Sequence, residues 1–195
     1  MSPRRWTLVA VAIGSGVVFL DGTVVNVALD TIGRELPAAF VGRLEGLTYV
    51  TAAYLTVLAA LLVLAGALGD RYGRRRVFAV GLAGFGVASV ACGLAPSLDA
   101  LVIARLAQGA AGALLVPGSL AIITATWEGE ERGRAIGIWA AVTSAFTLVG
   151  PLVGGLLVQA ASWRAIFLVN VPLVALGFYA LRYVPESRDE HASGR

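Results

Sequence analysis

The chain contains no lysine: all fifteen of its basic residues are arginine. It has one cysteine, Cys92, so no disulfide can form within it. Its single histidine, His191, lies in a polar tail, and no His/Cys/carboxylate cluster has metal-ligand spacing. Charge of either sign is scarce. At 14% of 195 residues it is too sparse to cover the surface of a soluble domain. What is abundant is apolar: 58% of positions are hydrophobic, and mean hydropathy is +0.82.

The apolar residues come in blocks, each long enough to cross roughly 30 Å of hydrocarbon. They place spans at about 6–29, 47–68, 77–94, 98–124, 135–158 and 165–181. The runs are continuously apolar and lack strand-like alternation, so helices are favoured over a barrel. The fold class is therefore an all-α membrane protein, with a six-helix unit over 1–181 and a polar, loose tail over 182–195. The 24 glycines suit close helix packing in lipid. Arg4 and Arg5 before an apolar stretch resemble the start of a secretory signal. Asp21 and Asn26 interrupt that stretch and five more spans follow it, so it is read as a retained first span.

The arginines set the orientation. With the N-terminus inside, eleven (4, 5, 71, 74, 75, 76, 132, 134, 182, 188 and 195) fall on the inner side, and only Arg34, Arg43 and Arg164 on the outer. Arg105 lies within a span. This bias predicts a multi-pass plasma-membrane protein with both termini cytoplasmic. The basic balance then reflects topology, and arginines spread among short loops are no nucleic-acid surface. The turn Ala95-Pro96-Ser97 is short enough to make spans three and four antiparallel neighbours. The first outer loop, from Asp30 to Gly46, is expected to be the longest connection.

Ionisable residues at membrane depth are costly and are functional candidates by default. Asp21 lies ~22 Å into a span that starts inside, and Arg105 ~10 Å into one that starts outside. Both are then about a third of the way down from the outer face, where they can meet. They also stand in the first helices of two three-span units, as an inverted repeat would place them. Two roles are open for such a pair. It is a static bridge orienting helices one and four, or Asp21 binds and releases a proton as its distance to Arg105 or its water access changes.

Two further segments stand out. Gly66, Asp70, Arg71, Gly73 and Arg74 end span two and form a short inner turn; an acid among arginines there fits a charged latch that pairs with a neighbour or a helix N-terminus. In span five, Gly150, Pro151, Gly154 and Gly155 put a helix-interior proline among glycines, which gives a kink and a smooth packing face. Ser119 follows Pro117-Gly118, but no span holds a histidine base, which argues against an intramembrane hydrolase.

In order and spacing, these residues resemble the major facilitator superfamily, and most nearly its branch of multidrug proton antiporters with fourteen spans. Residues 20–29 are similar to that branch's first-helix signature, 66–78 to the superfamily's loop between helices two and three, and 105–109 to its fourth-helix motif. Residues 150–155 are similar to the antiporter motif of helix five. Residues 163–172, with Pro185-Glu186-Ser187, resemble the sixth-helix region. The resemblance covers roughly 6–187. Departures are Asp30 where proline is usual, Tyr49 where tryptophan is common, and Phe146 where a small residue is usual, which bears on how helix five packs.

The resemblance implies one six-helix half of a major-facilitator fold. It also implies proton-coupled export of small apolar or cationic compounds with no cofactor beyond the proton gradient. It adds Asn26 and Gln108 to Asp21 and Arg105 as candidates for a proton or substrate pathway, and an acidic cavity residue such as Asp21 suits a cationic substrate. Expected partners are the bilayer, a small-molecule substrate, and a second six-helix half or a second copy of the chain, because alternating access by rocking needs two bodies. A truncated gene product, a fragment, a pairing half and a non-transporting membrane protein all remain open.

Overall fold

The computed structural model describes residues 3–38, 40 and 42–187. The expected tail residues Arg188, His191 and Arg195 lie outside the described residues. The helices are α1 (Pro3–Glu35), α2 (Arg43–Tyr72), α3 (Arg74–Gly93), α4 (Leu98–Thr126), α5 (Gly129–Ala160), α6 (Ala165–Leu168) and α7 (Asn170–Leu181). The first five are long and apolar enough to cross a membrane; α6 and α7 together form a shorter apolar segment over 165–181. The chain is an all-α, multi-pass membrane protein.

Several helices outrun their apolar stretches. α1 carries Asp30, Arg34 and Glu35 as helix, so the connection between α1 and α2 shrinks to the residues between Glu35 and Arg43. An Asp30–Arg34 ion pair of 2.9 Å, one turn apart on the helix surface, supports this extension. The sixth span is one hydrogen bond short at its proline: Pro172 has no N–H to give the Leu168 carbonyl, while Val169, between α6 and α7, keeps helical dihedrals (φ −62°, ψ −24°) and donates to the Ala165 carbonyl at 3.0 Å. At the α3–α4 turn, Ser97 Oγ accepts the Ala100 N–H at 3.2 Å and caps α4.

α4 lies centrally, packed chiefly against α2 and α3, and α1 packs chiefly against α5 and α7. Small residues allow these approaches. A methyl group on Gly154 would sit 2.9 Å from the Val24 carbonyl oxygen, and one on Gly150 would collide with Thr23 Oγ1, so α5 rests almost backbone-to-backbone on α1. Pro151 points away from this seam and is exposed. Phe146, the departure noted in helix five, lays its ring over Gly16; a methyl group there would be 2.7 Å from it. Hydroxyls add a polar seam. Trp139 Nε1 donates to Ser15 Oγ (3.1 Å), Ser15 to Ser119 Oγ (2.7 Å), and Ser119 to the Val11 carbonyl (3.1 Å), joining α5, α1 and α4.

The buried apolar residues form two clusters. One holds Val17, Val18, Phe85, Ala111 and Val174; the other holds Val24, Val25, Cys92, Leu101, Ala104 and Phe167. Each of α1, α3, α4 and the α6–α7 segment contributes buried polar residues between the clusters: Asp21, Ser89, Arg105 with Gln108, and Asn170. The core is thus two apolar layers separated by one polar layer.

Candidate functional site

The polar layer takes one residue each from α1, α3 and α7 and two, one turn apart, from α4. Asp21, Ser89, Arg105, Gln108 and Asn170 are each 0% exposed. Arg105 Nη1 donates to Asp21 Oδ2, forming a fully buried ion pair. Gln108 Nε2 donates to Asp21 Oδ1 at 3.0 Å, and Asn170 Nδ2 donates to the same oxygen at 2.9 Å. The carboxylate therefore receives donors from α4 and α7 on both oxygens, which is how a buried charge is tolerated in lipid.

The guanidinium is held as firmly. Its Nε donates to the Val50 carbonyl of α2 at 3.0 Å and its Nη1 to Gln108 Oε1 at 2.7 Å. Its plane lies 3.9 Å from the centre of the Tyr54 ring, with Phe167 at 5.8 Å on another side. A desolvated cation over a tyrosine face is a favourable contact. Tyr54 is itself fixed by donating its hydroxyl to the Val18 carbonyl at 2.9 Å. Ser89 Oγ accepts from Gln108 Nε2 (2.8 Å) and Asn170 Nδ2 (3.3 Å), and Cys92 Sγ lies 3.4 Å from Gln108 Oε1. Two buried atoms, Arg105 Nη2 and Asn170 Oδ1, have no hydrogen-bond partner among the described residues.

This arrangement carries a chemical constraint. A carboxylate only accepts: Oδ1 takes two amide donors, one on each lone pair, and Oδ2 takes Arg105 on one of its two. Three of the four acceptor positions are thus filled from α4 and α7, which ties the placement of the carboxylate to both elements.

Of the residues singled out from sequence, Asp21, Arg105 and Gln108 are brought into direct contact. Asn26 is not part of this layer: it is exposed and donates to the Gly22 carbonyl of its own helix at 3.3 Å. Asp21 is fully buried and its charge is matched by Arg105. A cavity of about 340 Å³ opens on the other side of α1, with Phe19, Gly22, Thr23, Tyr54, Leu55 and Thr147 in its wall and no charged residue among its lining. Asn26, one turn on from Gly22, shares that face of α1. Ser89, Asn170, Tyr54 and the Val50 carbonyl were missed from sequence. For Ser89 and Asn170 the available signal was a polar side chain inside an apolar run.

The α2–α3 turn is tighter than expected. Gly73, at φ 103°, alone connects α2 to α3. Asp70 pairs with Arg74 at 2.8 Å, and Arg74 Nη1 reaches the Ala121 carbonyl of α4 at 3.4 Å. Gly66 and Arg71 stay helical within α2. The start of the expected loose tail is bound here. The Arg74 N–H donates to the Ser187 carbonyl at 2.9 Å and the Arg75 N–H to Glu186 Oε1 at 3.0 Å, so the segment after α7 caps α3. At the opposite end, Trp163 Nε1 donates to Glu35 Oε2 at 2.9 Å. Ser119 is bonded within the polar seam described above and has no neighbouring base. Among the described residues no group of acids, cysteines or histidines could hold a metal ion.

The profile of the Major Facilitator Superfamily matches residues 11–195. The chain is 46% identical over 188 residues to the "Multidrug resistance protein Stp" of Mycobacterium tuberculosis, across 95% of this chain and 34% of that protein. It is 43% identical over 191 residues to the "Tetracenomycin C resistance and export protein" of Streptomyces glaucescens, across 97% of this chain and 35% of that one. The chain thus spans about a third of the length of these curated relatives. Among solved structures, the inward-open xylose transporter XylE from E. coli matches with a TM-score of 0.78 at 19% identity, over 93% of this chain and 48% of that one, a likeness of fold.

Proposed function

Because the chain belongs to the Major Facilitator Superfamily, we propose that it is one six-helix half of a proton-coupled exporter of small apolar molecules, of the multidrug branch with fourteen spans. The observation that carries the reading is the sealed Asp21–Arg105 pair, with every donor on the carboxylate supplied by a different helix from its own. Asp21 is the proton carrier and Arg105 its counter-charge; Gln108 and Asn170 position the carboxylate. Uptake of a proton leaves Arg105 uncompensated in the low-dielectric core, and separation of α4 from α1 relieves that charge by admitting water. The energy source is the proton gradient.

The substrate meets the other face of α1. That wall is uncharged, so the ligand chemistry it suits is neutral and apolar, with Asn26 as an amide available for one hydrogen bond. One bundle supplies one side of such a pathway. The second side comes from another six-helix bundle, either in a longer chain or as a second copy. The arginine distribution supports an orientation in which the start of α1 and the segment after α7 face the cytoplasm.

The test is dye efflux from vesicles under an imposed proton gradient, with this chain produced together with a complementary six-helix half. Gradient-dependent efflux that is lost in Asp21→Asn supports the reading. Efflux indifferent to the gradient, or undiminished in Asp21→Asn, refutes it.

A further inference from the structure

At the end of the bundle that carries the α2–α3 turn, a cavity of about 610 Å³ lies between α3 and α7. It is remote from the polar layer and from the face of α1 opposite Asp21. Arg75, Arg76 and Arg182 supply three guanidiniums to its lining against one carboxylate, Glu186, which leaves it at +2. Ala79, Phe178 and Leu181 make the rest of the wall apolar. The carboxylate is engaged: Glu186 Oε1 accepts the Arg75 N–H at 3.0 Å and Oε2 lies 3.6 Å from Arg76. Arg75 Nε donates to the Leu181 carbonyl at 3.2 Å, which fixes that guanidinium at the mouth between the two helices. Directly along α3 and α7 from the cavity, Val80 (64% exposed), Leu176 and Phe178 present open apolar surface at membrane depth.

We propose that this cavity binds the headgroup of an anionic phospholipid, with the acyl chains lying along the exposed apolar surface of α3 and α7. Two chemistries adjoin here, a cationic mouth and an apolar slope leading away from it into the membrane, and an anionic phospholipid has both. Inorganic phosphate or another soluble anion uses only the arginines. A zwitterionic lipid brings its own cation into a lining that is already positive. A basic pocket between transmembrane helices at the headgroup level is the geometry that selects anionic lipid over bulk attraction to the leaflet. Bound there, the lipid bridges the start of α3 to the end of α7, the two elements that Glu186 and Ser187 already tie together.

The experiment uses the full chain in mild detergent, titrated with dioleoylphosphatidylglycerol or dioleoylphosphatidylcholine, with bound lipid counted by native mass spectrometry. One phosphatidylglycerol is retained in preference to phosphatidylcholine. Arg76→Gln and Arg182→Gln each weaken its binding about fivefold. Arg134→Gln, which removes an arginine at the same end of the bundle but outside the cavity, leaves it unchanged. Glu186→Gln keeps an oxygen for the Arg75 N–H while releasing Arg76, and it strengthens binding, a direction that misfolding cannot produce. Equal retention of the two lipids overturns the proposal, as does an Arg134→Gln effect matching those in the cavity, or loss of binding in Glu186→Gln. Displacement of the lipid by inorganic phosphate assigns the site to a soluble anion and likewise overturns it.

Discussion

Neutralising Asp21 should cost far more than neutralising a surface acid, and the cost should vanish with its partner. In Asp21→Asn, one of the two oxygens becomes an N–H donor. If the amide keeps its oxygen toward Gln108 and Asn170, its nitrogen faces Arg105 Nη1; if it flips, the nitrogen faces two amide donors. Either way donor meets donor, and Arg105 retains only the Val50 carbonyl, Gln108 and the Tyr54 face. Breaking a buried pair on one side costs about 3–5 kcal/mol. Arg105→Met alone strands the carboxylate at a similar cost. The double variant removes both charges, leaves the neutral amides free to bond one another, and should cost about as much as one single variant. The coupling is then about 3 kcal/mol, the upper end for residues in contact. Reversible unfolding of the four proteins in mixed micelles measures it, with the buried Trp163 as a fluorescent reporter. Coupling below about 0.5 kcal/mol, the value of independent or surface pairs, would falsify the sealed-pair reasoning.

Three other outcomes follow from the packing. Gly154→Val drives a side chain at the Val24 carbonyl and should destabilise the chain by about 1–3 kcal/mol through separation of α5 from α1; an unchanged unfolding curve counts against the close seam. Trp163→Phe removes the Nε1 donor to Glu35 and leaves a cavity where the larger indole was fully buried, so it should cost more than the about 1–2 kcal/mol of the bond alone; no loss on the same assay counts against both contributions. Pro172→Ala restores an N–H to the Leu168 carbonyl and should stabilise the chain by about 1 kcal/mol; an unchanged or weakened unfolding curve means that the missing bond costs nothing.

The helices and the two charged members of the polar layer were legible because lipid makes both conspicuous: continuous apolar runs have few explanations, and a lone Asp or Arg inside one has fewer. Depth arithmetic alone brought Asp21 and Arg105 to one level. Gln108 needed the family resemblance. Ser89 and Asn170 were hidden because a neutral polar residue in a span is common, and only the fold shows which ones turn toward a charge. Tyr54 was hidden among the aromatics and small residues of α2, and the Val50 carbonyl has no sequence signature at all. The Leu168 carbonyl without a helical donor was foreshadowed by Pro172, four positions beyond it. The binding of Glu186 to α3 was not legible, since it joins residues more than a hundred positions apart.

The contact between Phe146 and Gly16 gives the α1–α5 seam an uneven character. On one side of it, Gly150 and Gly154 offer nothing for a neighbour to catch on, whereas the phenyl ring is a peg seated in a notch. Relative travel of these two helices is therefore not a free slide along their length. Seated near the middle of α5, the ring is the natural pivot, with similar travel at the Gly129 and Ala160 ends. A bulky residue in the notch would unseat the pivot while leaving the smooth stretch intact.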